Sequence, residues 1–223
     1  MRRCILWALL GFVLLAALGG IPAQAQAPRP TVRVLHVQGI IDPVAARYVR
    51  RALEQTEAAL YVILLDTPGG SLQSMRDIVQ VMLSSPVPVA VYVSPPGARA
   101  GSAGTFITLA AHGAAMAPST SIGAAHPVES TGQDIPGVLG DKVTQDAAAL
   151  ARSLAERYGR NAQWAEDAVM KSLAITAQEA VRLNVVDLIT DDLASLIAAL
   201  DGRSVQTATG EVTLSTRGAT VVD

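Results

Sequence analysis

Cysteine is almost absent from this chain: the one thiol is Cys4. No disulfide framework and no cysteine-based metal site can be built from the residues that follow it, so an oxidising compartment costs the protein nothing. Aromatic residues are scarce as well, at 4%, while half of all residues are hydrophobic. A core therefore has to be assembled from Ala, Val, Leu and Ile. The formal net charge is −2, and there is no basic stripe of the kind that nucleic acid requires. Self-similarity with a period of roughly 20–50 residues is missing, which disfavours a solenoid. Lysine is rarer than arginine, with only Lys142 and Lys171 against fifteen arginines.

What the chain does have begins with "MRRCILWALLGFVLLAALGG". Arg2 and Arg3 precede an apolar run from Cys4 to Leu18, and Ala23-Gln24-Ala25 supplies small residues at a cleavage site. That is the three-part pattern of a secretory signal. The apolar run is shorter than the roughly 20 residues a membrane span needs, so residues 1–25 read as a signal peptide and the protein as exported. Beyond residue 25 there remain 15 basic and 19 acidic residues, a net charge of −4.

After a polar linker (26–30), strand-like and helix-like patterns alternate. "TVRVLHVQGI" alternates as a strand; "PVAARYVRRALEQTEAAL" has Pro43 to open a helix with one buried face. "LYVILLD" and "VPVAVYVS" are continuous apolar runs of strand length, the mark of strands covered on both faces. Between them, "SLQSMRDIVQVMLSS" spaces Leu72, Met75, Val79 and Met82 as a helical stripe. "SAGTFITLAAHG" reads as a small-residue helix and "AAMAP" as a short strand. Residues 130–141, polar and glycine-containing, read as a mobile loop, followed by a helix through "TQDAAALARSLAERYG". "TAQEAVRL" carries Thr176 and Glu179 at capping-box spacing, and "VVDLIT" reads as a closing strand. This alternation argues for an α/β fold with a largely parallel sheet. One domain is expected over 31–201, with 202–223 as a carboxy-terminal hairpin or linker outside it.

Two glycine-bearing turns follow consecutive buried strands, and such turns gather at the carboxyl edge of a parallel sheet, where α/β proteins place their sites. In "DTPGGS", Gly69 and Gly70 precede a helix, so their N–H groups are candidates to meet a developing negative charge. In "AGSAGT", Ser102 opens a second helix and Ala103 offers another N–H. Ser102 is the candidate nucleophile and Gly69, Gly70 and Ala103 the candidate oxyanion hole. Taken alone, either stretch is as well explained as a plain turn. A serine also needs a base, and the Gly-x-Ser-x-Gly elbow is absent. Lys142 is one candidate, because a lysine amine is neutralised by desolvation whereas a guanidinium is not; a solvated loop lysine is the plainer reading. His126, in "GAAHPV", is the other, with Asp134 as a possible third member. His36 and His112 fall in apolar patterns and read as packing residues.

The stretch from "LLDTPGG" through "AGSAGT" to "MAPSTSIGAAHPV" resembles the membrane-bound serine proteases of the NfeD family, of the Clp-protease class. The resemblance implies a ClpP/crotonase-like fold of repeated strand–strand–helix units and assembly as a homodimer or higher oligomer. It also implies Ser102 as nucleophile with Lys142 as base, and a stomatin- or prohibitin-like membrane protein as substrate, cleaved in a hydrophobic segment. No cofactor is implied. Soluble Clp proteases use Ser-His-Asp with comparable Ser–His spacing, so a Ser102–His126 arrangement remains an alternative. So does a catalytically silent scaffold that binds a membrane partner through the same groove. A crotonase-type acyl-CoA activity is disfavoured by the export signal.

Overall fold

Strand length and the two-residue side-chain period account for most of the architecture. The computed structural model describes residues 29–55 and 57–223; the expected signal peptide (1–25) and most of the expected linker lie outside the described residues. In chain order the elements are β1 (Thr31–Gln38), α1 (Pro43–Leu53), β2 (Leu60–Asp66), α2 (Leu72–Leu83), β3 (Val89–Val93), β4 (Arg99–Gly101), α3 (Ala103–Leu109), β5 (Gly113–Met116) and β6 (Ser121–Gly123). There follow α4 (Gly137–Arg157), α5 (Ala162–Met170), β7 (Ala174–Thr176), α6 (Ala177–Arg182), β8 (Leu188–Ile189), α7 (Leu193–Leu200), β9 (Ser204–Thr207), β10 (Gly210–Thr213) and β11 (Thr220–Val222).

Six strands make a parallel sheet in the order β11-β1-β2-β3-β5-β8. Alternation divides β2 and β3 between two apolar layers. Tyr61, Ile63, Leu65, Val89, Val91 and Val93 pack with α1 to α6, whereas Leu60, Val62, Ala90 and Tyr92 pack with Leu196, Ile197 and Leu200 of α7. That two-sided burial is why these runs carry no polar alternation. A second, small sheet, β4-β6-β7, stands beyond the carboxyl edge of the first. Strand–strand–helix units therefore recur: β3, β4 and α3, then β5, β6 and α4.

Most helix starts are fixed by side-chain caps, although α3 and α4 have none. The Asp42 carboxylate accepts from the N–H groups of Val44 and Ala45, both at 2.8 Å, ahead of Pro43. Thr176 and Glu179 form a reciprocal capping box. Each such cap contributes about 1 kcal/mol. Among the described residues no helix is long and apolar enough to cross a membrane.

Two expectations need correction. Helix α4 starts at Gly137, so residues 137–141 are helical and Lys142 lies in the second turn of a helix rather than at the end of a loop. The glycines hid this: Gly140 is in the helix because a Cβ there would sit 1.9 Å from the Ile135 carbonyl oxygen. The carboxy-terminal segment 202–223 is likewise not outside the domain. It does contain the β9–β10 hairpin, but Leu214 is buried in the α7 layer. Three-residue β11 then pairs with β1 as the edge of the main sheet. A strand that short has no period to read.

Candidate active site

The turns after β2 and β4 are pressed together at the carboxyl edge of the sheet. Thr67 and Ala100 form a parallel bridge. The Thr67 N–H donates to the Arg99 carbonyl at 2.8 Å, and the Gly101 N–H to the Thr67 carbonyl at 3.0 Å. The contact is too close for larger residues: a Cβ on Gly101 would stand 3.0 Å from the Pro68 oxygen, and one on Gly104 would stand 2.6 Å from Thr67 Cγ2. The small residues of "AGSAGT" thus pack the second turn onto the first.

Ser102 sits at the tip of this packing with φ 48° and ψ −111°, a backbone conformation that costs a residue with a Cβ roughly 1–3 kcal/mol. The fold imposes it from several sides. The Ser102 N–H donates to the Gly123 carbonyl at 3.0 Å, and the Thr105 hydroxyl reaches the carbonyls of Ala100 and Gly123 at 3.0 and 3.1 Å. Gly69, at φ +125°, leaves the space that the serine side chain occupies, since a Cβ there would lie 2.7 Å from Ser102 Cβ and 3.2 Å from its Oγ. Among the described residues Ser102 Oγ makes no hydrogen bond.

The three candidate oxyanion donors differ. The Gly69 N–H is spent on Thr67 Oγ1 at 3.0 Å, and that hydroxyl in turn reaches the Gly69 carbonyl at 3.1 Å. The Gly70 and Ala103 N–H groups have no partner among the described residues. Gly70 is held by bonds on either side of it, Ile41 N–H to the Gly69 carbonyl at 2.9 Å and Ser71 N–H to the Ile41 carbonyl at 2.8 Å. A Cβ on Gly70 would fall 2.2 Å from the Ile41 oxygen. Two backbone donors are therefore left free, one on each side of the serine. Thr67, fully buried, was not singled out by the sequence reading; a hydroxyl two residues ahead of a glycine is the signal for such a side-chain turn.

Two cavities meet at Ser102. One, of about 140 Å³, is lined mainly by apolar side chains, Leu72, Met75, Phe106, Ile135, Val143 and Ala147 among them. The other is an open groove of about 930 Å³ bordered by Ile40, Gly69, Gly70, His126, Val128 and Asp134. Val143 and Ala147, four residues apart on α4, bring that helix to the serine.

The candidate bases are placed less decisively. His126 borders the groove, but its Nδ1 lies 3.0 Å from the Val169 carbonyl, which makes Nδ1–H the donor, and its Nε2 is 4.0 Å from Asp134. In a Ser-His-Asp arrangement the carboxylate would instead engage the nitrogen remote from the serine. Lys142 is exposed on α4, borders neither cavity and makes no ion pair among the described residues, although the next residue, Val143, lines the apolar cavity. Lys171 is paired with Asp167 at 3.0 Å. His36 is exposed beside Asp223 at the sheet edge rather than packed, because β1 turns it away from the helical layer. His112 is buried as expected.

Comparison with known proteins places this geometry. A family model described as the N-terminal domain of NfeD1b matches residues 31–209. The membrane-bound protease PH1510 of Pyrococcus horikoshii is 42% identical over 157 residues, covering 70% of this chain and 35% of that protein. The chain spans about a third of the length of the curated relatives it matches. Two solved variants of a 1510-N membrane-bound stomatin-specific protease are 36% identical over 87% of this chain. One, with a lysine changed to alanine and a substrate peptide bound, has a TM-score of 0.81 and is covered to 92%. The other, with a serine changed to alanine, has a TM-score of 0.80 and is covered to 97%. ClpP1 from Listeria monocytogenes, 19% identical with a TM-score of 0.60 over 73% of this chain and 94% of that one, shares the fold alone.

Proposed function

The chain belongs to the family of NfeD1b N-terminal domains, and from that premise we propose that it is a serine endopeptidase acting through a Ser102–Lys142 dyad. The observation that carries the reading is Ser102 itself, strained on a tight turn with its hydroxyl free, sharing a cavity with Gly70 and Ala103, whose N–H groups are unpartnered among the described residues. Lys142, as the free amine, takes the Ser102 proton while Oγ attacks the scissile carbonyl. The N–H groups of Gly70 and Ala103 hold the resulting oxyanion, and Gly69 contributes by position rather than as a donor. The lysine ammonium then passes its proton to the leaving nitrogen, and a water activated by the same amine releases the acyl group. Because Lys142 faces solvent in the free chain, it reaches Ser102 when substrate fills the groove; catalytic contacts of this kind commonly tighten only in the complex. His126 is the weaker base candidate, with its ring nitrogens facing a carbonyl and a carboxylate.

The apolar cavity beside Ser102 fits one aliphatic or thioether side chain of a substrate. Ile40 is exposed at the groove, and Val138 and Leu139 are exposed in the first turn of α4, which suits a hydrophobic segment. The stomatin-specific relatives support a stomatin-like membrane protein as the substrate. We place the enzyme outside the cytoplasm and at a membrane, on the leader pattern and the membrane-bound relatives, and working as a homo-oligomer. Incubating the protein with peptides that carry an apolar run tests the activity: wild type should cut within the run, and Ser102→Ala should not. Absence of cleavage by wild type across a panel of such peptides would favour the silent scaffold.

A further inference from the structure

A second cavity, of about 300 Å³, lies at the opposite, amino-terminal edge of the main sheet and takes no part in the site at Ser102. It is bounded by His112 and Gly113 at the start of β5, Asp187 ahead of β8, the end of α4 and strand β9. His112 is only 6% exposed. Its Nδ1 accepts the Val89 N–H at 3.1 Å, so the neutral ring carries its proton on Nε2, and that atom is buried with no partner among the described residues. A buried donor left in this state costs about 1–3 kcal/mol. Burial, with Arg157 and Arg160 nearby, lowers the His112 pKa to about 4, which keeps the ring a neutral donor near neutral pH.

The charges around this donor are lopsided. Arg160, also buried, donates to the carbonyls of Leu109 and Ala111 at 2.9 Å and to Asp187 at 3.0 Å, so the one carboxylate lining the cavity is already matched. Arg157 and Arg203 stand exposed at the rim and make no ion pair among the described residues. The guanidinium groups of Arg157 and Arg160 lie 5.7 and 5.3 Å from the Tyr158 ring centre, and the His112 and Tyr158 rings meet edge-on at 5.6 Å. Among the described residues, two guanidinium groups without a carboxylate partner, Arg157 donating only to the Tyr158 hydroxyl at 3.4 Å, and the unpartnered N–H of His112 thus belong to residues lining one cavity.

We propose that this cavity binds a phosphate-class oxyanion, held by Arg157 and Arg203 and accepting the His112 Nε2–H. Guanidinium groups suit such an anion because their paired N–H donors match its oxygens. The cavity has room for a phosphate carrying a small ester group as well as for the free ion. The site is independent of the peptidase reading, since it shares no residue with the groove at Ser102.

Histidine-ring NMR of the whole protein, titrated with inorganic phosphate and in parallel with glycerol 3-phosphate, tests the proposal against sodium chloride at matched ionic strength. The expected result is a saturable shift of the His112 Nε2–H signal. The double variant Arg157→Ala/Arg203→Ala, altered only at exposed positions, should weaken binding by at least about tenfold. Tighter binding of glycerol 3-phosphate assigns the pocket to a phosphate ester, and tighter binding of inorganic phosphate assigns it to the free ion. A response no different from chloride, or a double variant that binds like wild type, overturns the proposal.

Discussion

The two walls of the groove at Ser102 are built on different principles. On one wall, the turns after β2 and β4 are locked by backbone hydrogen bonds and by glycines with no room for a Cβ. On the other, the segment 126–134 presents side chains, His126 bound to a carbonyl and Asp134 exposed, while Lys142 stands exposed on α4 outside the groove lining. On the proposed mechanism, nucleophile and oxyanion donors are thus set in place before substrate arrives, while the base is carried on a surface that substrate must complete. The helix holding Lys142 is tied to α2 one turn farther along, where Arg76 pairs with Asp146, while Lys142 itself is exposed and makes no ion pair among the described residues. On that reading, a rigid acceptor wall with a conditional base keeps Ser102 quiet until a suitable segment occupies the groove.

Substitutions can break this contrast, and they rank by size. Ser102→Ala removes the nucleophile and should lower kcat by about 10⁴–10⁶-fold, measured on an apolar peptide, with the thermal unfolding midpoint unchanged or raised. Lys142→Ala leaves the rigid wall intact and should cost about 10²–10⁴-fold in kcat; loss of folding would show instead as a lowered unfolding midpoint. Thr67→Val sharpens the contrast from the other side. Without its hydroxyl, the Gly69 N–H loses its partner and the Gly69 carbonyl keeps only the Ile41 N–H, the Gly70 peptide is held less tightly, and kcat should fall by up to about 10²-fold with little change in KM. His126→Ala is the smallest, within about threefold of wild type; a loss as large as that of Lys142→Ala would transfer the base to the histidine.

The same contrast explains what could be read from the chain. The parallel core was legible because "LYVILLD" and "VPVAVYVS" are apolar throughout, and the Thr176–Glu179 box because its spacing is local. The glycines and serine of the two turns were legible as a pair because close backbone approach demands small residues. Which N–H would be left free was not, since Gly69 and Gly70 are identical in sequence and only the Thr67 hydroxyl tells them apart. Strands β4, β6 and β7 are three residues each, too short for any period. The start of α4 was hidden by Gly137 and Gly140, which read as a loop until the Ile135 backbone is seen lying against the helix. The position of Lys142 relative to Ser102 depends on that start, so the base was the least legible part of the site.

The rate at which a serine-directed phosphonate labels Ser102, compared between wild type and Lys142→Ala, tests the central claim most directly. The account predicts a single label on Ser102 in wild type, about 10²-fold slower or more in Lys142→Ala, and wild-type labelling in His126→Ala. Equal rates in wild type and Lys142→Ala, or a label on another residue, would contradict it.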